Sequence, residues 1–190
     1  MNFYIFTDGS SIDNGKLTCK AKCGYAIFVD TYEKGLIKKG SKSLNKDLEI
    51  KHPELFNKNT GVLSSNQSAE LAGIYFGLRS VIKLCDRMNV LYIDKIQIIT
   101  DSKYSIQVYT EWLKLWEKNN FKTTKGTSVK HVEMIKETDK LIRYFKEQFK
   151  GLQVEFIHVN SHKRKPDKEK EQLKYFHWYG NNLVDNLASA

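Results

Sequence analysis

The chain has 190 residues, with 31 Lys and Arg against 22 Asp and Glu and a formal net charge of +9. That length fills one hydrophobic core, burying about two-thirds of the unfolded surface, so residues 1–190 are expected to form a single domain with inserted loops. The positive surplus favours nucleic acid or another polyanion as partner, although lysine also covers surfaces merely for solubility.

The first strand is expected over Phe3-Tyr4-Ile5-Phe6-Thr7-Asp8-Gly9-Ser10, followed by apolar runs from Cys23 to Val29 and from Leu36 to Leu44. Turns rich in Gly, Asn and Asp suit an antiparallel meander. Residues 45–65 show little periodicity and contain Pro53, which predicts an inserted loop. Leu71, Ile74, Tyr75, Leu78, Val81, Ile82 and Cys85 then fall at three- and four-residue spacing, the stripe of an amphipathic helix. Ser64, Ser65 and Asn66 offer capping side chains at its start. A strand over Ile93 to Thr100 leads into helical patterns through Lys118, and a helix is expected from Val129 to Phe149 with Val132, Ile135, Leu141, Ile142 and Phe145 inward. Val154 to Val159 reads as the last strand and Leu183 to Ala188 as a short closing helix, after a Lys-rich insertion over 163–179. This order describes an α/β fold, a mixed five-stranded sheet covered by helices, in which functional residues gather at the carboxyl ends of parallel strands.

Cys19, Cys23 and Cys85 are odd in number and lack zinc-ribbon or thioredoxin spacing, so reduced thiols in an intracellular compartment are expected. The chain opens on a strand pattern rather than a signal peptide, and no apolar run reaches the roughly 20 residues of a membrane span. A soluble, monomeric protein with no membrane partner is expected.

Four acids stand out as a set. Asp8 and Asp101 close two nearly repeated strand ends, Thr7-Asp8 and Thr100-Asp101; Glu70 lies in the first turns of the long helix; Asp185 lies near the C-terminus. Singly, each has a plain explanation: a turn, an N-cap, a helix-dipole partner, a solvated helix face. Together they come from four elements that only the fold could join. Carboxylates converging in a partly buried site need protons or cations to neutralise them, and oxygen-rich sites suit magnesium or manganese.

In order along the chain, Thr7-Asp8-Gly9-Ser10, Asn66-Gln67-Ser68-Ala69-Glu70, Thr100-Asp101-Ser102, His158-Val159-Asn160-Ser161-His162 and Gly180-Asn181-Asn182-Leu183-Val184-Asp185 resemble the motifs of the type 1 ribonuclease H family. Phe121-Lys122-Thr123-Thr124 stands where relatives carry Trp-Lys-Thr. The Asn-Gln form of the second motif is that of eukaryotic members. The resemblance implies a ribonuclease H-like sheet, with β1-β2-β3 antiparallel and β4 and β5 added in parallel. It also implies hydrolysis of the RNA strand of an RNA–DNA hybrid by two Mg²⁺ ions about 4 Å apart (Mn²⁺ substituting), leaving 5′-phosphate and 3′-hydroxyl ends. On this resemblance Asp8 bridges the ions, Glu70, Asp101 and Asp185 complete the metal shells, and His162 assists proton transfer or product departure. Gly9, Ser10, Asn66, Gln67 and Glu70 are placed at the RNA 2′-hydroxyls; Tyr104, Trp112 and Trp116 against DNA sugars; Thr124 and His131 near a DNA phosphate; Asn181 beside the site.

Several departures from the pattern are visible. His162 lies farther before Asp185 than in most members, and the intervening Lys163, Arg164, Lys165, Lys168, Lys170 and Lys174 read either as an extra hybrid-binding loop or as a solvated charge run. Leu63 stands where eukaryotic relatives often carry a phosphate-binding arginine, and His131 replaces an asparagine. The chain is expected to carry no hybrid-binding domain before Met1 and to draw its affinity from this domain alone. Trp112 and Trp116, four apart on one helix face, also read simply as core anchors. Two rival readings are a catalytically silent nucleic-acid-binding module and another two-metal nuclease of the transposase, integrase or resolvase kind. The Asn66-Gln67 pair and His162 speak against the latter.

Overall fold

The computed structural model describes residues 1–30 and 34–189. Three long strands, β1 (Asn2–Ile12), β2 (Lys20–Asp30) and β3 (Lys34–Leu44), form an antiparallel meander; β4 (Lys95–Thr100) joins β1 in parallel and β5 (Gln153–His158) joins β4 in parallel. The sheet order is β3-β2-β1-β4-β5, the mixed five-stranded arrangement expected from the sequence.

Alternation along β1 divides the core. Phe3 and Ile5 point to one face with Ile96 and Ile98 of β4, whereas Tyr4 and Phe6 point to the other with Ile99. The first face is covered by α2 (Asn66–Met88), whose Ser65 forms a reciprocal capping box with Ser68: the Ser65 side chain accepts from Ser68 N, and Ser65 N donates to Ser68 Oγ at 2.9 Å. The predicted stripe of α2 is buried apart from half-buried Ile82, and Ala69, Ala72, Gly73, Phe76 and Gly77 are buried as well. The burial is nearly all round because α5 (Val132–Gln148) and the segment before α2 pack on its outer side. In α5, Ile135, Ile142 and Phe145 face inward as expected, joined by Met134 and Thr138, while Val132 and Leu141 are half-buried.

Two expectations need correction. Residues 45–65 are not a plain loop: they hold α1 (Lys46–Lys51), capped by Asn45 Oδ1 accepting from Leu48 N at 3.0 Å, and a 3₁₀ turn begun by Pro53. Leu48, Leu55 and Phe56 are buried against the core, which is why the segment is ordered. The chain from Ser102 to Lys118 is helical as expected, formed by α3 (Lys103–Gln107), a π-helical turn (Val108–Trp112) and α4 (Leu113–Lys118).

The second correction concerns the C-terminal helix. It is α6 (Gln172–Ala188), not a short helix from Leu183, so the insertion is a loop only up to residue 171. The added turns form because Phe176 finds an apolar socket, packing edge-on against Tyr4, Phe6 and Phe28 with centroids 5.1–5.4 Å away. Gly180 follows one turn later, directly on the Phe6 ring; a Cβ there would lie 2.4 Å from ring carbons. Gly180→Ala should therefore lift α6 off the sheet and destabilise the protein by about 1–3 kcal/mol, the usual cost of overpacking. Urea unfolding of the variant checks this, and an unchanged midpoint would show that α6 is not seated so closely.

Candidate active site

β1 and β4 are paired so that Thr7 lies opposite Thr100. One step beyond that pair come Asp8 and Asp101, both on the face that carries Phe6 and Ile99, where parallel neighbours stand about 4.8 Å apart. The near-repeat in the sequence is thus two strand ends in register. Glu70 arrives from the other layer. The first turns of α2 rest on Gly9 so tightly that an added Cβ would lie 2.3 Å from Glu70 N and 2.5 Å from the Ala69 carbonyl carbon. Gly9 lets the helix end close over the strand and bring its acid to Asp8.

One carboxylate oxygen from each of Asp8, Glu70 and Asp101 lies within 4.8 Å of the others. Asp185, on α6, lies within side-chain hydrogen-bond reach of Asp8, outside the tighter group of three. Compensation within the protein is thin. Gly9 N donates to Asp8 Oδ1 at 2.8 Å and Ser161 donates to Asp101, but Glu70 Oε2 is buried without a hydrogen-bond partner. Burial, then the charges of Asp101 and Asp185, pushes Asp8 up to about 7. Burial, then Asp8 and Asp101, pushes Glu70 up to about 9, and burial raises Asp101 as well. An acceptor-only cluster with an orphaned buried oxygen fits a hard divalent cation such as Mg²⁺ or Mn²⁺.

The final strand ends beside this cluster. His158 pairs with Thr100 in register, and its Nε2 lies 3.2 Å from the Asp101 carbonyl oxygen. Alternation along the strand suggests that His158 falls short of the site, and its contact here is with the backbone of Asp101 rather than with a carboxylate. His162 is exposed on the following loop in a left-handed conformation (φ 55°) and borders the same cleft as Asp185.

The other predicted residues divide by location. Asn66 and Gln67 are exposed at the start of α2, with Asn66 N donating to Asn14 Oδ1. Ser10 Oγ donates to the Ala188 carbonyl oxygen, tying β1 to the end of α6. Tyr104, Trp112 and Trp116 form a continuous half-buried aromatic row, with centroids 6.0 and 5.7 Å apart, packed on the core with one side open. They are core anchors and a surface at once. Thr124 stands on an exposed turn closed by the Lys122–Ser128 bridge. His131 lies 3.5 Å from the capping Ser65 Oγ and lines a small cavity with Leu63; burial, then Lys130, pushes it down to about 4, so its ring is neutral at physiological pH. Asn181 is buried on α6, one turn before Asp185.

The family model for RNase H matches residues 1–190. The chain belongs to the RNase H family. It is 28% identical over 138 residues to a ribonuclease H of Schizosaccharomyces pombe, covering 73% of this chain but only 40% of that relative. The solution structure of the PFV RNase H domain superposes with a TM-score of 0.64 at 21% identity, covering 98% of this chain and 91% of that one. A foamy viral protease-reverse transcriptase in complex with an RNA/DNA hybrid superposes with a TM-score of 0.60 at 20% identity, covering 98% of this chain and 19% of that one. Among the described residues no helix is long and apolar enough to cross a membrane.

The raised acids give a pH signature. A carboxyl whose folded pKa lies above its unfolded value near 4 contributes stability that is complete below pH 4 and is lost as pH rises through the folded value. For Asp8 that loss runs to about 7. In EDTA, Asp8→Asn should therefore melt a few degrees above the parent at pH 8, with the gap closing below pH 4. Thermal unfolding across that range tests it; a variant melting at or below the parent at pH 8 would contradict the carboxylate repulsion.

Proposed function

We propose that this RNase H family chain is an endonuclease that hydrolyses the RNA strand of RNA–DNA hybrids, leaving 5′-phosphate and 3′-hydroxyl ends. The observation that carries the reading is the convergence of Asp8, Glu70 and Asp101 oxygens within 4.8 Å, with Asp185 over Asp8. These four would hold two Mg²⁺ ions, with Mn²⁺ able to substitute. Bound there, the ions would activate a water for attack and stabilise charge on the leaving 3′ oxygen.

The protein's own part is positional. The register of β1 and β4 orients Asp8 and Asp101, the Gly9 contact orients Glu70, and α6 orients Asp185. His162, free to reach the cleft, would exchange a proton at the departing phosphate, since its ring nitrogens can donate or accept one while Mg²⁺ prefers oxygen ligands. The open side of Tyr104, Trp112 and Trp116 suits DNA sugars, with Thr124 and neutral His131 donating hydrogen bonds to phosphate. Gly9, Ser10, Asn66, Gln67 and Glu70, with Asn181 nearby, suit the RNA minor groove and its 2′-hydroxyls. Such contacts are blind to sequence. We further propose that the chain acts as a monomer inside the cell.

Comparing cleavage of hybrid, duplex DNA and duplex RNA in magnesium tests this reading against a DNA nuclease and a silent binding module. Asp8→Asn or Asp101→Asn should abolish hybrid cleavage and leave binding largely intact; near-normal turnover by either would refute the assignment. The two histidines separate differently. His162→Ala should slow turnover by about one to two orders of magnitude at unchanged half-saturating magnesium. His158→Ala, which frees the Asp101 backbone, should raise the magnesium required. Steady-state cleavage with magnesium titration of both variants reads the split, and the reverse pattern would exchange their roles.

A further inference from the structure

The loop after His162 does not lie flat on the surface. With the outer side of α6 it encloses a cleft of ≈ 670 Å³, a size that takes a small-molecule ligand. Lys174, Trp178, Asn181, Asn182 and Asp185 line it from α6, at the three- and four-residue spacing of one helix face. This stripe faces away from Phe176, Gly180 and Val184, which seat the helix on the sheet. Asp185 therefore belongs to both places, closing the carboxylate cluster and opening the cleft.

The opposite wall is basic. Lys163, Arg164 and Lys165 line it, and among the described residues no carboxylate pairs with any of the three, whereas Lys174 is held by Glu171 at 2.8 Å. Trp178 lines the cleft, with Tyr175 beside it on α6. Tyr175 and Trp178 lie 5.7 Å apart, with Lys165 Nζ 5.6 Å from the Trp178 ring and Lys168 Nζ 5.9 Å from Tyr175. Trp178 is half-buried and belongs to neither apolar cluster of the core. A tryptophan outside the core, beside a lysine and cations that no carboxylate holds, has the composition that binds a polynucleotide backbone: cations for phosphates, an aromatic ring for sugars.

We propose that this cleft binds the RNA strand on one side of the scissile phosphate, with Lys163, Arg164 and Lys165 on its phosphates and the Trp178 ring against its sugars. The proposal rests on the hybrid-cleaving reading above. A strand whose phosphate lies at the carboxylates meets Asp185 and runs into the cleft. Trp178 stands seven residues from Asp185 on the same helix face, ~10 Å away, or about three base steps. Arg164 offers a planar fork to phosphate and the lysines point charges, so the contacts add affinity without reading sequence.

The test measures anisotropy of labelled hybrids in an Asp101→Asn background, where nothing is cut. It compares the intact cleft with combined Lys163→Ala, Arg164→Ala and Lys165→Ala, and with Trp178→Leu; circular dichroism verifies that each is folded. The triple variant is expected to lose about ten- to a hundredfold in affinity, and its plot of log-affinity against log-salt should flatten by about one unit per lost phosphate contact. Trp178→Leu should lose affinity several-fold at an unchanged salt slope. Trimming only the RNA strand back towards the scissile position on the cleft side should erase most of both differences. Unchanged affinity and slope in both variants would overturn the proposal and leave a solvated loop. Losses that ignore RNA trimming would also overturn it, by showing that the cations act on the DNA strand or through the general field. If the protein with intact carboxylates fails to cut hybrid while the binding differences persist, the hydrolase reading falls and the cleft stands as a polynucleotide site.

Discussion

Negative charge confined at the carboxyl ends of β1 and β4 is the constraint on which the rest of the structure depends. Asp8, Glu70 and Asp101 share a space less than 5 Å across with few donors between them, and one Glu70 oxygen has none. Left to themselves such groups separate or take up protons. They stay together because each is fixed from behind: Asp8 and Asp101 by the register of two buried parallel strands, Glu70 by a capped helix end pressed on Gly9. The mutual repulsion is a standing cost, borne by the apolar contacts of the central strands, and it is relieved by a proton or a cation. Geometry that holds an unfavourable charge cluster is the preorganisation a metal site needs.

The C-terminal helix carries the second half of that logic. Its inner side is a docking surface, with Phe176 in an aromatic socket and Gly180 flat on Phe6. Its outer side holds Asp185 over Asp8 and continues through Asn181 to Trp178 along one stripe. One rigid element thereby couples sheet packing, completion of the acidic cluster and the shape of the neighbouring cleft. The stretch of α6 from Gln172 to Asn182 makes this possible, since it brings the anchor and the cleft wall in the same piece of helix.

Much of this was legible along the chain. The strand ends Thr7-Asp8 and Thr100-Asp101, the helix bearing Glu70 and the order of the sheet follow from alternation, three- and four-residue spacing and short motifs. What escaped were segments whose apolar residues answer to distant partners. Leu48, Leu55 and Phe56 order the stretch before α2 by packing against the core, although their spacing has no local period. Phe176 and Gly180 extend α6 because of Phe6 and Phe28, far away in sequence, and the Lys-rich run before them hides the pattern.

The sequence by itself determined which residues could do chemistry and which elements carry them, because period, capping and motif are local properties of the chain. It also carried the family, since short motifs in a set order survive substitution elsewhere. Only the tertiary structure decided that Asp8 and Asp101 stand in register, that Glu70 closes on them over Gly9, and that Trp178 faces a basic cleft rather than the core. Those are distances between elements remote in sequence, set by the packing of side chains that no local pattern encodes.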